Sequence, residues 1–263
     1  MTTSSGRRPV APVTACPTAA QHSAKQTGND LLATTLNYLA GSLQDNIILS
    51  AQSLTKLPEA LSTSQSVDMD YGYAQGAFAS DGGVARVALE NRTGRKISIY
   101  DVRPANIVSE CLPLAALIEY YSEGGDPAQM VFDMDAAAPI AKAMDDSGKI
   151  LGKYFLEYPS IDLDPHEKKT FLWSFLTDKG AYTFDMLISY EVGGRKAQTI
   201  LRNGIVPFRV ATSLCPPPDA RLGMTPDEVQ HMSSLRYENV RQRDGLKIIE
   251  KTPADFAAEC ATW

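Results

Sequence analysis

The sequence predicts a mainly β protein, an antiparallel β-sandwich with an N-terminal helix and a C-terminal helical appendage. Between residues 66 and 212, apolar side chains recur at every second position, as in Phe171, Trp173 and Phe175. Clusters of Gly and Asn separate these runs, which is typical of short strands joined by tight turns. On either side of this region the spacing changes to three and four residues, which indicates helices.

Composition limits the size and the class of the protein. The chain has 263 residues, 44% of them hydrophobic, and a formal net charge of −6. This size predicts one or two domains with a real core. The acidic balance argues against nucleic-acid binding through a broad basic surface. We divide the chain into an arm (1–29), an amphipathic helix (30–58), a sandwich (66–212) and a linker with a helical segment (213–263).

The arm is rich in Thr, Ser, Ala, Pro and Gln and shows no periodicity, so it is predicted to be disordered. Its two arginines are not followed by an apolar stretch, and a secretory signal peptide is therefore not expected. No apolar run approaches the roughly 18–20 residues of a membrane-spanning helix. These features predict a protein of the cytoplasm or of an assembled particle.

The predicted N-terminal helix carries one apolar stripe. Asn29 or Asp30 can cap its first N–H groups, and Pro58 ends it. The stripe has the spacing of a short coiled-coil seam, so it packs either on its own domain or on another chain. Its members are Leu32, Leu36, Leu39, Leu43, Ile47, Ala51 and Leu54.

The sandwich region contains three turn signals. Residues 84–90 and 96–102 flank the cluster 91–94 and are predicted to form a hairpin. Gly193-Gly194 predicts a turn followed by a strand over 195–201, and Asn203-Gly204 is another hairpin signal, followed by a strand over 205–210. The alternation of aromatic residues across this region places most of them in the core.

The last fifty residues return to helical signals. Thr225-Pro226 can begin a helix that runs to about residue 243, and residues 246–249 read as a short strand. The four cysteines are far apart in sequence and have no zinc-ligand spacing. They are free thiols in a reducing compartment or, alternatively, Cys111 pairs with Cys215 in an oxidising one.

Residues 161–192 resemble the later strands of immunoglobulin-like or fibronectin-like sandwiches. In those domains a strand leads through a Lys/Gly turn into a strand with alternating aromatic residues. The resemblance implies an immunoglobulin-like sandwich. It concerns the fold alone, because sandwiches of this kind carry many unrelated activities.

Pairs of aspartates two residues apart are the main candidates for chemistry. Two such carboxylates on a strand share a face, and their oxygens suit a divalent cation. A metal-dependent hydrolase is therefore one alternative. The simpler interpretation is that these acids face solvent and that residues 164–167 form an ordinary turn. The metal candidates are Asp133, Asp135, Asp162, Asp164 and His166.

No nucleophile elbow, phosphate-binding loop or dinucleotide motif occurs in the sequence. The leading hypothesis is a non-catalytic binding or assembly protein, without a cofactor, that contacts a protein partner or a second copy of itself. A carbohydrate-binding or adhesion sandwich and a virion or shell protein are further alternatives. The predicted partner-binding residues are Leu32, Leu36, Leu39, Leu43, Ile47, Tyr71, Tyr73, Tyr120 and Tyr121.

Overall fold

The structure, a computed structural model, is mainly β, as the sequence predicts. Two mixed sheets pack against each other and form a sandwich. The described residues are 24–40, 47–49, 69–80, 82–110, 114–118, 130–144, 150–155, 161–177, 180–212, 237–244 and 247–252.

The elements follow one another in chain order. They are β1 (Leu31–Ala40), β2 (Ile47–Leu49), α1 (Met69–Ala74), β3 (Phe78–Ser80), β4 (Gly83–Asn91), β5 (Ile97–Glu110), β6 (Leu114–Ile118), β7 (Met130–Asp133), β8 (Lys142–Met144), β9 (Ile150–Tyr154), β10 (Ile161–Leu163), β11 (Lys168–Leu176), β12 (Ala181–Val192), β13 (Arg195–Leu201), β14 (Phe208–Ala211), β15 (Tyr237–Asp244) and β16 (Lys247–Lys251).

One sheet has the order β1-β4-β11-β7-β8-β9. The other has the order β10-β5-β12-β14-β3-β2-β6-β15-β16, with β13 beside β12. The prediction of purely antiparallel sheets is wrong, because β7 runs parallel to β11, β3 to β14 and β6 to β15. Parallel neighbours need a crossover connection, and each of these pairs joins strands that are distant in sequence. Local patterns cannot show such a pairing.

Aromatic side chains from both sheets meet in the core. Phe175 of β11 lies 4.9 Å from Phe184 of β12 and 5.3 Å from Phe208 of β14, measured between ring centroids. Trp173 is fully buried and packs edge-on against Phe132 of β7. The predicted core role of the alternating aromatic residues is confirmed here, because their period of two directs one face of each strand inward.

The predicted hairpin at residues 91–94 is wrong, although both strands exist. β4 pairs with β1 and β11 in one sheet, whereas β5 pairs with β12 and β10 in the other. The turn therefore crosses between sheets. The side chain of Asn91 is fully buried there, and its amide donates to the carbonyls of Arg95, Leu163 and Asp164 at 2.6, 3.1 and 2.9 Å. These bonds replace the ladder bonds that a hairpin would make.

The predicted helix over residues 30–58 is also wrong where the structure describes it, because residues 31–40 and 47–49 are strands. β1 pairs along its length with β4, and the register shifts between Thr35 and Asn37. Residues Leu31 and Ala33 pack toward the core before this bulge, and Tyr38 does so after it. The apolar stripe that predicted the helix is not this inward face, because Leu32 and Leu39 are only partly buried and Leu36 is exposed.

The C-terminal helix predicted for residues 225–243 is wrong from residue 237 onward, where β15 pairs with β6 and β16. Long-range backbone pairing decides this segment against its local helical signals. The strand predicted at 246–249 is confirmed in β16. Residues 213–236 and 253–263, the arm up to residue 23 and all four cysteines lie outside the described residues.

The part of the predicted arm that the structure describes lies along β13. The backbone N–H of Thr27 donates to the carbonyl of Gln198 at 3.0 Å, and the N–H of Gln198 donates to the hydroxyl of Thr27 at 2.9 Å. The N–H of Ala24 donates to the side-chain oxygen of Asn106 on β5. Residues 24–30 thus connect two strands of the larger sheet before β1 begins in the other.

Candidate functional site

Leu36 and Tyr73 are the two predicted partner-binding residues that the structure brings together. Both line an open cleft of about 320 Å³ beside β1, which we call the β1 cleft. The lining residues are Thr35, Leu36, Asn37 and Tyr38 of β1, Tyr73 and Ala74 of α1, and Asn203, Gly204, Ile205 and Val206 of the turn before β14.

The other predicted partner-binding residues have different positions. Leu32 and Leu39 are partly buried on β1, and Ile47 is fully buried in the core. Tyr71 lies in α1. Leu43, Tyr120 and Tyr121 lie outside the described residues.

Leu36 reaches the rim of the β1 cleft because of the bulge in β1. Thr35 pairs with Val87 and Asn37 pairs with Arg86, so Leu36 between them has no opposite residue on β4. A bulge of this kind redirects a side chain, and such bulges occur often at sheet edges and beside functional sites. The side chain of Leu36 is 49% exposed.

Ile205 also lines the β1 cleft and lies at the tip of a tight turn. The N–H of Val206 donates to the carbonyl of Asn203 at 3.2 Å, and Gly204 has φ +62°. Gly readily adopts a left-handed conformation at the first central position of a two-residue turn, and such a turn matches the twist of strands. The turn predicted at Asn203-Gly204 is confirmed, but it is not a hairpin, because β13 and β14 both pair with β12, and the strand begins only at Phe208. Ile205 is 93% exposed, although turn tips usually carry polar residues.

Two tyrosines form the inner wall of the β1 cleft. The rings of Tyr38 and Tyr73 lie 4.9 Å apart, and both residues are buried. The hydroxyl of Tyr38 donates to the carbonyl of Arg209 at 2.7 Å, and the guanidinium of Arg209 donates to the carbonyl of Tyr73 at 3.2 Å. Burial raises the pKa of Tyr38, so its hydroxyl stays protonated in the folded chain. These hydrogen bonds hold both tyrosines against the segment around Arg209.

A half-buried ion pair lies next to the turn. Asp185 is 3% exposed and accepts two hydrogen bonds from the guanidinium of Arg202, at 2.8 and 3.0 Å. The amide of Asn106, which has φ 53°, donates to Asp185 at 2.8 Å. The carbonyl of Arg202 accepts the hydroxyl of Thr35 at 2.8 Å. The network thus connects β12, β5 and β1 at the side of the cleft.

Asp133 and Asp135, two of the metal candidates, lie where β7 ends. The carboxylate of Asp135 accepts the hydroxyl of Tyr182 at 2.8 Å and that of Thr177 at 3.0 Å. Asp133 accepts the backbone N–H of Asp135 at 3.1 Å. Burial, and next the bond to Asp135, raises the pKa of Tyr182. These carboxylates therefore hold the loop that follows β7.

Asp162, Asp164 and His166 lie in and beside the turn before β11. Asp162 accepts the hydroxyl of Ser98 at 2.7 Å and forms an ion pair with Lys96 at 2.6 Å. The backbone N–H of Asp164 donates to the carboxylate of Glu167 at 2.7 Å, which lowers the pKa of Glu167. His166 is exposed with φ 60°. The residues form the turn that the sequence also suggested.

The two groups of acids lie at opposite ends of one strand. Asp133 is opposite Leu176, the last residue of β11, and Asp164 precedes its first residue, Lys168. A strand of nine residues separates its ends by roughly 26 Å. The five candidates are thus not brought together, and within the described ranges no three His, Cys, Asp or Glu side chains are grouped to hold a metal ion.

Comparison with known proteins yields no relative: no protein-family model and no curated protein matches the chain. In the part of the chain that the structure describes, no helix is long and apolar enough to cross a membrane. The β1 cleft is therefore interpreted from its own residues. Sequence reasoning missed Ile205 in this role, although its position after Asn203-Gly204 marked it as an apolar residue at a turn tip.

Proposed function

We propose that this chain is a non-catalytic binding protein that holds a protein partner at the β1 cleft. The observation that supports this most directly is that two exposed apolar side chains, Leu36 and Ile205, line one open cleft. Exposed apolar residues scattered singly need no explanation, but a clustered set beside a concave site is typical of interaction surfaces. Tyr38 and Tyr73, which are almost fully buried, pack against each other and support this surface.

The cleft has features of a binding site rather than of a reaction centre. Its ten lining residues include no Asp, Glu, His, Cys or Lys. Of its two tyrosines, Tyr38 donates its hydroxyl to the carbonyl of Arg209, and burial keeps that hydroxyl protonated. The amides of Asn37 and Asn203 line the cleft and can orient a polypeptide. The immunoglobulin-like arrangement and a location in the cytoplasm or in a particle stay predictions.

Site-specific photocross-linking in the source cell tests the proposal. A benzoylphenylalanine at position 205 is placed at the proposed interface, and the same group at Ile140, which is also exposed at 41%, is the matched control. We expect a discrete protein adduct from position 205 that is absent or much weaker from position 140. Equal adduct patterns from the two positions, or no adduct from position 205, would contradict the proposal.

A further inference from the structure

The turn that carries Ile205 contains the one place in the sequence where Gly directly follows Asn, at Asn203-Gly204. Gly has no Cβ, so its backbone nitrogen can approach the side-chain carbon Cγ of the preceding Asn with little steric hindrance. Gly204 is exposed, and a Cβ placed on it would meet no atom within 4 Å. The two groups therefore have free space and solvent beside them.

Hydrogen bonding also leaves these two groups free to react. Within the described residues, neither the side-chain amide of Asn203 nor the backbone N–H of Gly204 forms a hydrogen bond. The bond that closes the turn runs from the N–H of Val206 to the carbonyl of Asn203 and is 3.2 Å long, at the upper end of the usual range. A backbone rotation that brings Cγ of Asn203 to the nitrogen of Gly204 is thus opposed by a weak hydrogen bond.

Other asparagines of the described chain lack this combination. Asn37 lines the same cleft and is exposed, but it pairs in register with Arg86 and is followed by Tyr38, whose side chain hinders approach to its own nitrogen. Asn91 is fully buried, and its amide is held by three backbone carbonyls. The fold therefore protects these side chains and leaves Asn203 open to attack.

We infer that Asn203 is a site of spontaneous deamidation. The backbone nitrogen of Gly204 attacks Cγ of Asn203, a C–N bond forms, and the side-chain nitrogen leaves as ammonia with the proton of the attacking N–H. Water then opens the five-membered succinimide ring. Opening at Cγ gives aspartate, and opening at the main-chain carbonyl gives isoaspartate, whose backbone is one carbon longer. The sequence of steps consumes one water, releases one ammonia and changes no oxidation state.

Either product changes the chemistry of the β1 cleft. The lining contains no Asp or Glu, and deamidation places a carboxylate at position 203, two residues from Ile205. A partner that covers the cleft has to remove water from this charge, which is costly unless the charge is paired. We therefore expect deamidation to weaken binding at the cleft. This effect rests on the proposed function, whereas the modification itself does not.

Incubation of the purified full chain in warm, neutral buffer tests the modification. Peptide mass spectrometry with electron-transfer fragmentation locates each amide that becomes a carboxyl and distinguishes aspartate from isoaspartate. We expect Asn203 to convert faster than Asn37 by about tenfold or more, because Gly presents no side chain to the attack. In Asn203→Gln the same attack would close a six-membered ring, so position 203 is expected to stay an amide. Conversion of Asn203 no faster than that of Asn37 would overturn the inference.

Photocross-linking from position 205 in the source cell tests the effect on binding. Asn203→Asp imitates one product, and Asn203→Gln, which keeps a neutral amide, is the matched control. We expect Asn203→Asp to reduce the yield of the adduct by about threefold or more and Asn203→Gln to reduce it by less than about twofold. Equal yields from the two variants would overturn the effect on binding. Absence of an adduct from position 205 in the chain with Asn203 intact contradicts the proposed function instead, and the conversion measured on purified protein is independent of it.

Discussion

Replacement of the buried Asn91 tests how the two sheets are joined. Its amide has two hydrogens, which the three carbonyls of Arg95, Leu163 and Asp164 share, and its oxygen accepts from the N–H and the hydroxyl of Thr93, both at 2.8 Å. Four bonds at about 1 kcal/mol each set a ceiling of about 4 kcal/mol for Asn91→Ala. Since water can reach the exposed part of the turn, we expect a loss of about 2–3 kcal/mol.

Asn91→Asp is a more specific test, because the side chain keeps its shape and loses only the amide N–H groups that donate hydrogen bonds. The carboxylate keeps the acceptor for Thr93 but turns an ionised oxygen toward three carbonyl oxygens. At neutral pH we therefore expect it to be less stable than Asn91→Ala by about 1 kcal/mol or more. Burial and the neighbouring oxygens raise the pKa of this new carboxyl above its unfolded value of about 3.9.

The sign of the pH dependence follows from that raised pKa. The charge penalty is absent below about pH 3.9 and grows by about 1.4 kcal/mol per pH unit until the folded-state pKa is reached. Urea unfolding of the wild type and of both variants, followed by circular dichroism at several pH values, measures it. Asn29→Ala, an exposed asparagine, is the matched control and is expected to lose at most about 0.5 kcal/mol.

Two results would refute this reasoning. One is an Asn91→Asp variant that is as stable as Asn91→Ala at neutral pH. The other is a stability difference between Asn91→Asp and the wild type that does not change with pH. Either result would mean that the amide hydrogens of Asn91 do not hold the carbonyls around it. The same geometry predicts that Asn91 in the folded chain cannot accept a glycan at its Asn-Arg-Thr sequence, because its amide is enclosed.

Three further changes test the backbone and the buried hydroxyls. Gly82→Ala adds a Cβ 2.4 Å from a backbone oxygen at a residue with φ +88°. We expect thermal melts to show a loss of about 3 kcal/mol in the free energy of unfolding. Gly194→Ala, where the added Cβ meets open space, is the control and is expected to lose about 1 kcal/mol. His166→Gly relieves φ 60° and is expected to raise the free energy of unfolding by about 0.5–1 kcal/mol in urea titrations; a decrease would contradict this. Burial raises the pKa of Tyr38 and Tyr182 above 10.0, the value of an exposed tyrosine. Their contribution to stability is therefore intact below pH 10.0 and falls as the pH rises above it, because the unfolded chain loses these protons first. Tyr182→Phe is expected to reduce this alkaline loss of stability, measured by circular dichroism.

The strands with the clearest alternation were predictable because their pattern is local. In β11 a period of two places Trp173 and Phe175 on the face of one sheet that meets the core. In β12 it places Phe184 on the core-facing side of the other sheet, and burial of these faces stabilises both sheets. The turn at Asn203-Gly204 was predictable for a similar reason, since Gly adopts a left-handed conformation at no steric cost. Each of these features depends on neighbours in sequence.

The candidate site was predictable only in part. Leu36 was expected at a partner surface because it belongs to the apolar stripe, and Tyr73 because it is less clearly part of the core pattern. The expected helix was wrong because β1 pairs with β4 and turns Leu31, Ala33 and Tyr38 inward, not the stripe. The positions of Asp133 and Asp164 at opposite ends of β11 were also hidden, since residue types do not reveal which strands pair.

By itself, then, the amino-acid sequence determined a mainly β chain with an aromatic core, its tight turns and its acidic charge, because these depend on composition and on short-range pattern. The tertiary structure alone decided that residues 31–40 join a sheet, that both sheets are mixed, and that the turn at residues 91–94 crosses between them. It also decided that Leu36 and Ile205 line the same cleft. Such contacts join distant parts of the chain, and their formation depends on the packing of the whole sandwich rather than on any local preference.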